Sequence, residues 1–200
     1  MIIIDMSIQT EVMEKALLQM TERVGFKKDI YHYNRPGTHD GFIDMLILNP
    51  VDIGKNKNVG IDALIHYDKI EQLYNQLADE PLMKPFPLLS IGHIDPTFRH
   101  YSISFMKVAG IPEAVNKIES LIKNKFFKFY YEYEDIERIV GVFENNDIGL
   151  MRRFYILPLL YLLIGKPVKG IEVMEPLQRF GIAADEHCKH FYNNYCKAIL

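Results

Sequence analysis

The sequence predicts an α+β fold: an antiparallel β-sheet with flanking helices, followed by an all-helical C-terminal region. Three observations predict it. Apolar residues recur at helical spacing near the N-terminus. Between residues 30 and 105, short strand-like segments follow one another through short, turn-rich connections, which favours antiparallel neighbours. From residue 131 onward the apolar period is helical to the end.

The first helix is expected at 8–24, where Met13, Ala16, Leu17, Met20 and Val24 make one face. Gly25 stops it, being free to adopt a left-handed conformation, and Phe26 then folds back towards Met20. Strands are expected at 30–34 ("IYHYN"), 42–49 ("FIDMLILN") and 59–67 ("VGIDALIHY"). The turn residues of "RPGTHDG" (35–41) and the loop "PVDIGKNKN" (50–58) separate them. Asp68 is expected to cap the next helix, with Glu71 at the capping-box spacing and Ile70, Leu73, Tyr74 and Leu77 as the buried stripe. Three prolines make 80–87 a loop. "LLSIGHI" (88–94) and "FRHYSISF" (98–105) read as a strand pair around Asp95 and Pro96. Pro112 opens a helix to about Lys123, burying Val115, Ile118 and Ile122.

Four helices follow. The first is marked by Ile136, Ile139, Val140 and Phe143, and the others span 150–164, 168–180 and 184–199. The second is apolar nearly all round and so central, and Gly165 and Pro167 end it. Pro158 and Pro176 lie inside helical patterns and should kink or split their helices. Residues 1–130 form the sheet domain and 131–200 a helical region packed on it, together one structural unit.

At 48% apolar and 24% charged residues, the chain matches globular usage rather than disorder. Net charge is −3 and no Lys/Arg run forms a basic stripe, which argues against a nucleic-acid partner. The longest apolar run, "FYILPLLYLLIG", falls short of the ~20 residues a membrane span needs. Two cysteines make no disulfide framework, and the N-terminus has no secretory pattern, so the expected compartment is the cytoplasm.

"EHCKHFYNNYC" (186–196) gathers two histidines and both cysteines. On a helix the cysteines are roughly 12 Å apart, too far for a disulfide. His187 and Cys196 point to opposite sides, so four zinc ligands do not converge. Cys188 is expected buried, and His187 and His190 exposed and adjacent.

The sheet offers a second candidate. By period two, Asp62 and His66 share a face opposite Ile61, Ala63 and Ile65. Asp44 alternates with Ile43, Met45 and Ile47, and His100, Ser102 and Ser104 alternate with Tyr101, Ile103 and Phe105. One face is therefore expected to carry Asp44, Asp62, His66, His100, Ser102 and Ser104. Such a face can hold a metal or a His base oriented by Asp. It can equally be a solvated or partner-binding face. The loop with His32, Arg35, His39 and Asp40 is a third candidate, also explained as turns. No phosphate-loop, dinucleotide, nucleophile-elbow or HExxH motif occurs.

"ERVGFKKDIYHY" (22–33), "LLSIGHIDPTFRHYSI" (88–103), "FYYEYEDIERIVGVF" (129–143) and "LLYLLIGKPVKGIEVMEPL" (159–177) resemble blocks of the bacterial domain of unknown function 4304 family. Phe98 and Tyr101 stand where that family's pattern has tryptophans, and the chain contains none. The resemblance implies an α+β fold without assigned activity. Some relatives look like immunity or accessory proteins of bacterial toxin systems, which implies a protein-binding role.

The expected function is a non-enzymatic cytoplasmic protein that binds another protein. No nucleic acid, membrane, metal or cofactor is expected. Two alternatives stand beside it: a hydrolase or metal-dependent enzyme using the Asp44/Asp62/His66 face, and a scaffold that homodimerises through its helical tail.

Overall fold

The computed structural model describes residues 6–30, 32–53, 56–78, 86–145, 148–179 and 186–199. Helix α1 (Met6–Arg23) buries Met13, Leu17 and Met20. Gly25 at φ 90° ends it: Gly25 N–H donates to Glu22 O, Phe26 N–H to Thr21 O, and Phe26 is buried beside the core. This is a Schellman stop, as the glycine suggests.

A six-stranded antiparallel sheet follows, ordered β1 (Lys27–Lys28), β2 (Tyr33–Pro36), β3 (Phe42–Ile53), β4 (Asn56–Tyr67) and β5 (Leu89–Ser90), with β6 (Ser102–Phe105) also on β4. Strand β3 runs past the expected end at Asn49, and β4 begins before Val59. The segment expected as a loop at 50–58 is thus mostly strand. Its Pro50 is tolerated because β2 pairs only with residues 43–46 of β3, leaving β3 an edge strand beyond them. Arg35 and Pro36, expected in a turn, belong to β2.

The two segments expected as a strand pair do not pair with each other. Strand β5 pairs with Leu64 and Ile65 of β4, and β6 with residues 57–60 of the same edge. Between β5 and β6 lie the short helix α3 (Ile91–Ile94) and a 3₁₀ turn, Pro96–Phe98. Helix α2 (Asp68–Leu77) has Tyr67, not Asp68, at its N-cap. The Asp68 carboxylate instead faces His66 Nε2 at 2.9 Å.

Helix α4 (Ile111–Leu121) carries Pro112 in its first turn and continues through a π-helical turn (Ile122–Phe126) into α5 (Phe127–Tyr133). The expected boundary at residue 130 falls within α5. Helices α6 (Ile136–Asn145), α7 (Leu150–Leu163), α8 (Pro167–Arg179) and α9 (Glu186–Ile199) complete the fold. Both α7 and α8 run unbroken through Pro158 and Pro176, so neither proline splits its helix. Helix α7 packs against α2, α6 and α8, and Gly165 (φ 70°) closes it with a second Schellman pattern, Lys166 N–H donating to Tyr161 O. The proline-rich segment 80–87 lies outside the described residues up to residue 85.

One buried cluster runs from Met13 on α1 to Tyr195 on α9. On one sheet face, Leu46, Ile61, Ala63 and Ile65 lie beneath α1, α4 and α5; Lys57 of this face reaches α1 through Thr10 Oγ1 at 2.9 Å. On the other face, Met45 and Leu64 are buried, and α7 approaches through Arg152 and Leu88. The distal part of that second face is uncovered: Asn49, Val51, Ser102 and Ser104 are exposed. Among the described residues no helix is long and apolar enough to cross a membrane.

Candidate functional site

The register of the β3–β4 hairpin decides which side chains meet. Asp44 pairs with Ile65, and Asp62 with Ile47. Directly paired residues share a face, so Asp44 lies on the opposite face from Asp62 and His66. The expected common face therefore does not include Asp44. Asp62 and His66 share their face but stand four residues apart, roughly 13 Å along the strand. His66 is buried and occupied: Nδ1 faces Phe86 O at 2.8 Å, Nε2 faces Asp68, and Glu71 lies 3.8 Å away. No shared substrate atom reaches Asp44, Asp62 and His66.

Ser102 and Ser104 pair with Gly60 and Asn58 and lie on the Asp62 face, exposed. His100 is not in a strand. It is exposed in a left-handed conformation (φ 63°) at the turn before β6. It nevertheless joins Asp62 in lining one cleft.

That cleft, of about 980 Å³, opens beside residues 61–63 of β4, between the stretches that pair with β5 and β6. Its apolar wall comes from Ile47, Phe98, Tyr101, Ile148 and Met151. Its polar wall comes from Asp62, Ser90, His93, Arg99, His100 and Arg152. The sequence-based reading missed Ser90, His93, Arg99 and Arg152. The available signal was Ser90 followed three residues later by a side chain that can reach back, with Pro96 just beyond: a short helix rather than a strand.

Ser90 is the N-cap of α3. Its Oγ accepts from Gly92 N–H at 3.1 Å and donates to Asp62 Oδ1 at 2.8 Å. Its own N–H donates to His93 Nδ1 at 3.1 Å. An accepting Nδ1 places the neutral ring's proton on Nε2. Burial, with Arg152 and Arg99 nearby, lowers the His93 pKa to about 4, so the ring is neutral across the physiological range. Burial raises the Asp62 carboxyl above its ordinary value against the opposing pull of Ser90, Ala63 N–H and Arg152. Burial also lowers Arg152, with Asp62 opposing. Arg152 reaches Leu88 O only at 3.4 Å, and its guanidinium lies 5.3 Å from the Phe86 ring centre. Arg99 is fixed by Nε donating to Gly92 O at 3.1 Å.

A second polar cluster sits on the opposite face. Arg35 donates from Nε to Asp44 Oδ2 at 2.6 Å, its Nη2 lies 2.6 Å from the same oxygen, and its guanidinium is 4.1 Å from the Phe127 ring centre. Glu134, just past α5, accepts at Oε2 from Thr38 N–H, from Thr38 Oγ1 at 2.7 Å and from His39 N–H at 2.9 Å. Gly37 permits this approach, since a Cβ there would lie 2.9 Å from Glu134 Oε2 and 2.8 Å from Phe42 Cβ. Asp44 and Glu134 are both buried, and Asp44 Oδ1 and Glu134 Oε1 have no other donor. A proton between them satisfies both oxygens, and the opposite directions of their shifts assign it to Asp44 as donor and Glu134 as acceptor. Burial and the bond to Glu134 push Asp44 up to about 8 despite Arg35. Burial favours raising Glu134 too, but hydrogen bonds from Asp44, Thr38 and His39 hold it below its ordinary value. Of the loop candidates, Arg35 and His39 thus belong to this structural clamp. His32 is buried, with Nε2 2.9 Å from Asn34 Nδ2, and Asp40 is exposed.

Helix α9 has Cys188 buried beside Tyr155 Oη at 2.9 Å, with His187 and His190 exposed. Neither cysteine is in a disulfide. Among the described residues no group of three or more His, Cys, Asp or Glu is placed to hold a metal ion. No family model matches this chain, and no curated protein or solved structure matches it.

Proposed function

We propose that this protein acts by binding another protein rather than by turnover, as an immunity or accessory factor does. The binding surface is the cleft together with the uncovered sheet face beside it. The observation that carries this reading is how the cleft's polar groups are engaged. The Ser90 hydroxyl is held between Gly92 N–H and Asp62, and His93 spends its basic nitrogen on Ser90 N–H. A general base needs an available lone pair within reach of a substrate proton. His93 offers the cleft a donor instead. A pocket with apolar walls and a few fixed polar groups suits recognition. Asn49, Ser102 and Ser104 extend that surface beyond what a small ligand needs.

The test compares tagged wild-type protein with Asn49→Arg/Ser102→Arg, purified from the native host and analysed by mass spectrometry. Wild type is expected to recover one partner in stoichiometric amount, and the variant to lose it while folding normally. Recovery of the same proteins by both, or of none by either, overturns the reading.

A further inference from the structure

We infer that the cleft between β5, β6 and the start of α7 is a receptor for a single carboxylate carried on an apolar body, held by Arg152, Arg99 and the Nε2–H of His93. This rests on the reading of the cleft as the binding surface, and it names the group the partner places there.

Among the described residues, three side chains line one cavity with N–H groups to spare. Among the described residues, His93 Nε2–H meets no acceptor, and Arg99 is bonded only through Nε. Arg152 has one long bond to a carbonyl. Among the described residues Asp62 is the sole carboxylate in the lining, and Ser90 occupies its Oδ1. Among these described residues, two guanidiniums against one carboxylate, with His93 neutral, leave a positive balance. That balance suits a monoanion better than a phosphate dianion. A guanidinium matches a carboxylate in planar geometry. Ile47, Phe98, Ile148 and Met151 give an attached apolar group a surface to cover. Burial keeps His93 neutral, and the positive field of Arg152 and Arg99 that adds to this also attracts an anion. The hydrogen bond from Ser90 N–H fixes the tautomer before any ligand arrives, so the donor is preorganised.

Sodium hexanoate is the probe, titrated at pH 7 into ¹⁵N-labelled protein, with the His93 ring and Arg152 Nε signals followed by NMR. Saturable shifts with hexanoate and none with hexanol are expected. Arg152→Gln and Arg99→Gln, each checked for an unchanged amide spectrum, are expected to weaken binding about tenfold, as loss of a charge-assisted hydrogen bond does. Absence of saturation at tens of millimolar, or equal binding by both variants, overturns the inference. Tighter binding of inorganic phosphate than of hexanoate overturns the carboxylate assignment. A blocked tripeptide with a free C-terminus, its amide, and an amide bearing an internal Glu then separate a chain end from a side chain. If hexanoate binds while the Asn49/Ser102 variant retains every recovered protein, the receptor stands and the partner reading falls. If the partner is lost but hexanoate never saturates, the reverse holds.

Discussion

Asp44 on β3 and Glu134 at the end of α5 are two buried carboxyls whose titrations are linked: burial and the bond between them raise Asp44, and against burial the same bond lowers Glu134. The pair ties the β2–β3 turn to the junction between α5 and α6, because Glu134 also accepts from Thr38 and His39. Its pH behaviour follows from the direction of each shift. Asp44 titrates at about 8 when folded and near 3.9 when unfolded. Between those values the native state holds the extra proton, so its contribution to stability declines as pH rises through that window, by at most about 1.4 kcal/mol per unit. Glu134 is lowered, so its contribution is present above the ordinary carboxylate range and is lost as pH falls below it. Asp44→Asn mimics the protonated acid and is expected to flatten the slope between pH 5 and 8. Urea midpoints at four pH values measure it, and parallel wild-type and variant slopes would refute the shared proton. Glu134→Gln is expected to cost about 3 kcal/mol or more, because Arg35 loses the cluster's negative charge.

Arg35 is not replaceable by Lys. The guanidinium grips Asp44 with two nitrogens and stacks on Phe127 at once, whereas an ammonium is a point charge. Arg35→Lys is expected to lose roughly 2 kcal/mol in chemical denaturation. A variant as stable as wild type would show that charge alone suffices.

Two helical glycines should respond in opposite directions. A Cβ on Gly170 of α8 would lie 2.1 Å from the Tyr195 hydroxyl oxygen, which donates to Pro158 O at 2.9 Å and lies 3.1 Å from Pro167 O. Gly170→Ala is expected to lower the melting temperature, since overpacking costs about 1–3 kcal/mol and exceeds the gain of at most ~1 kcal/mol in helix propensity. Gly141 of α6 has open space at its Cβ position. Gly141→Ala is expected to raise the melting temperature, by about 0.5–1 kcal/mol in stability.

Ser90→Ala removes both the cap of α3 and the donor to Asp62. The expected loss is about 1–2 kcal/mol. Because the Ser90 bond lowers the Asp62 pKa, its removal should move the Asp62 midpoint upward in a ¹³C-carboxyl titration. A midpoint that stays in place would separate the cap from the electrostatics.

Helix ends were legible in the sequence because Gly25 and Gly165 stop their helices by local conformation alone. The stripe of Cys188, Phe191 and Tyr195 was legible for a similar reason: helical period fixes a face without reference to other elements. The shared face was not, since strand alternation leaves open which faces coincide. That depends on register, and the β3–β4 ladder continues to the Ile53–Asn56 pair, inside a segment rich in turn-forming residues. With a loop at 50–58, Asp44 has no defined partner; with the long hairpin it opposes Ile65. "LLSIGHI" misled because its apolar run fits a strand or a single helical turn equally well. Glu134 carries no pattern at all. Its partners, Thr38 and His39, are remote in sequence, and folding alone unites them.

The split edge of the sheet also governs how this protein meets other chains. Exposed strand edges invite pairing with foreign backbone. Here one edge of β4 is divided between β5, two residues long, and β6, four residues long. The opposite edge ends in β1, only Lys27 and Lys28, both exposed. The stretch of β3 beyond β2 carries Pro50, which has no N–H to give. Among the described residues, an incoming β-strand finds no long, uninterrupted ladder to extend. Strand addition and edge-to-edge fibre growth are therefore disfavoured, and recognition falls to side chains on the face and in the cleft.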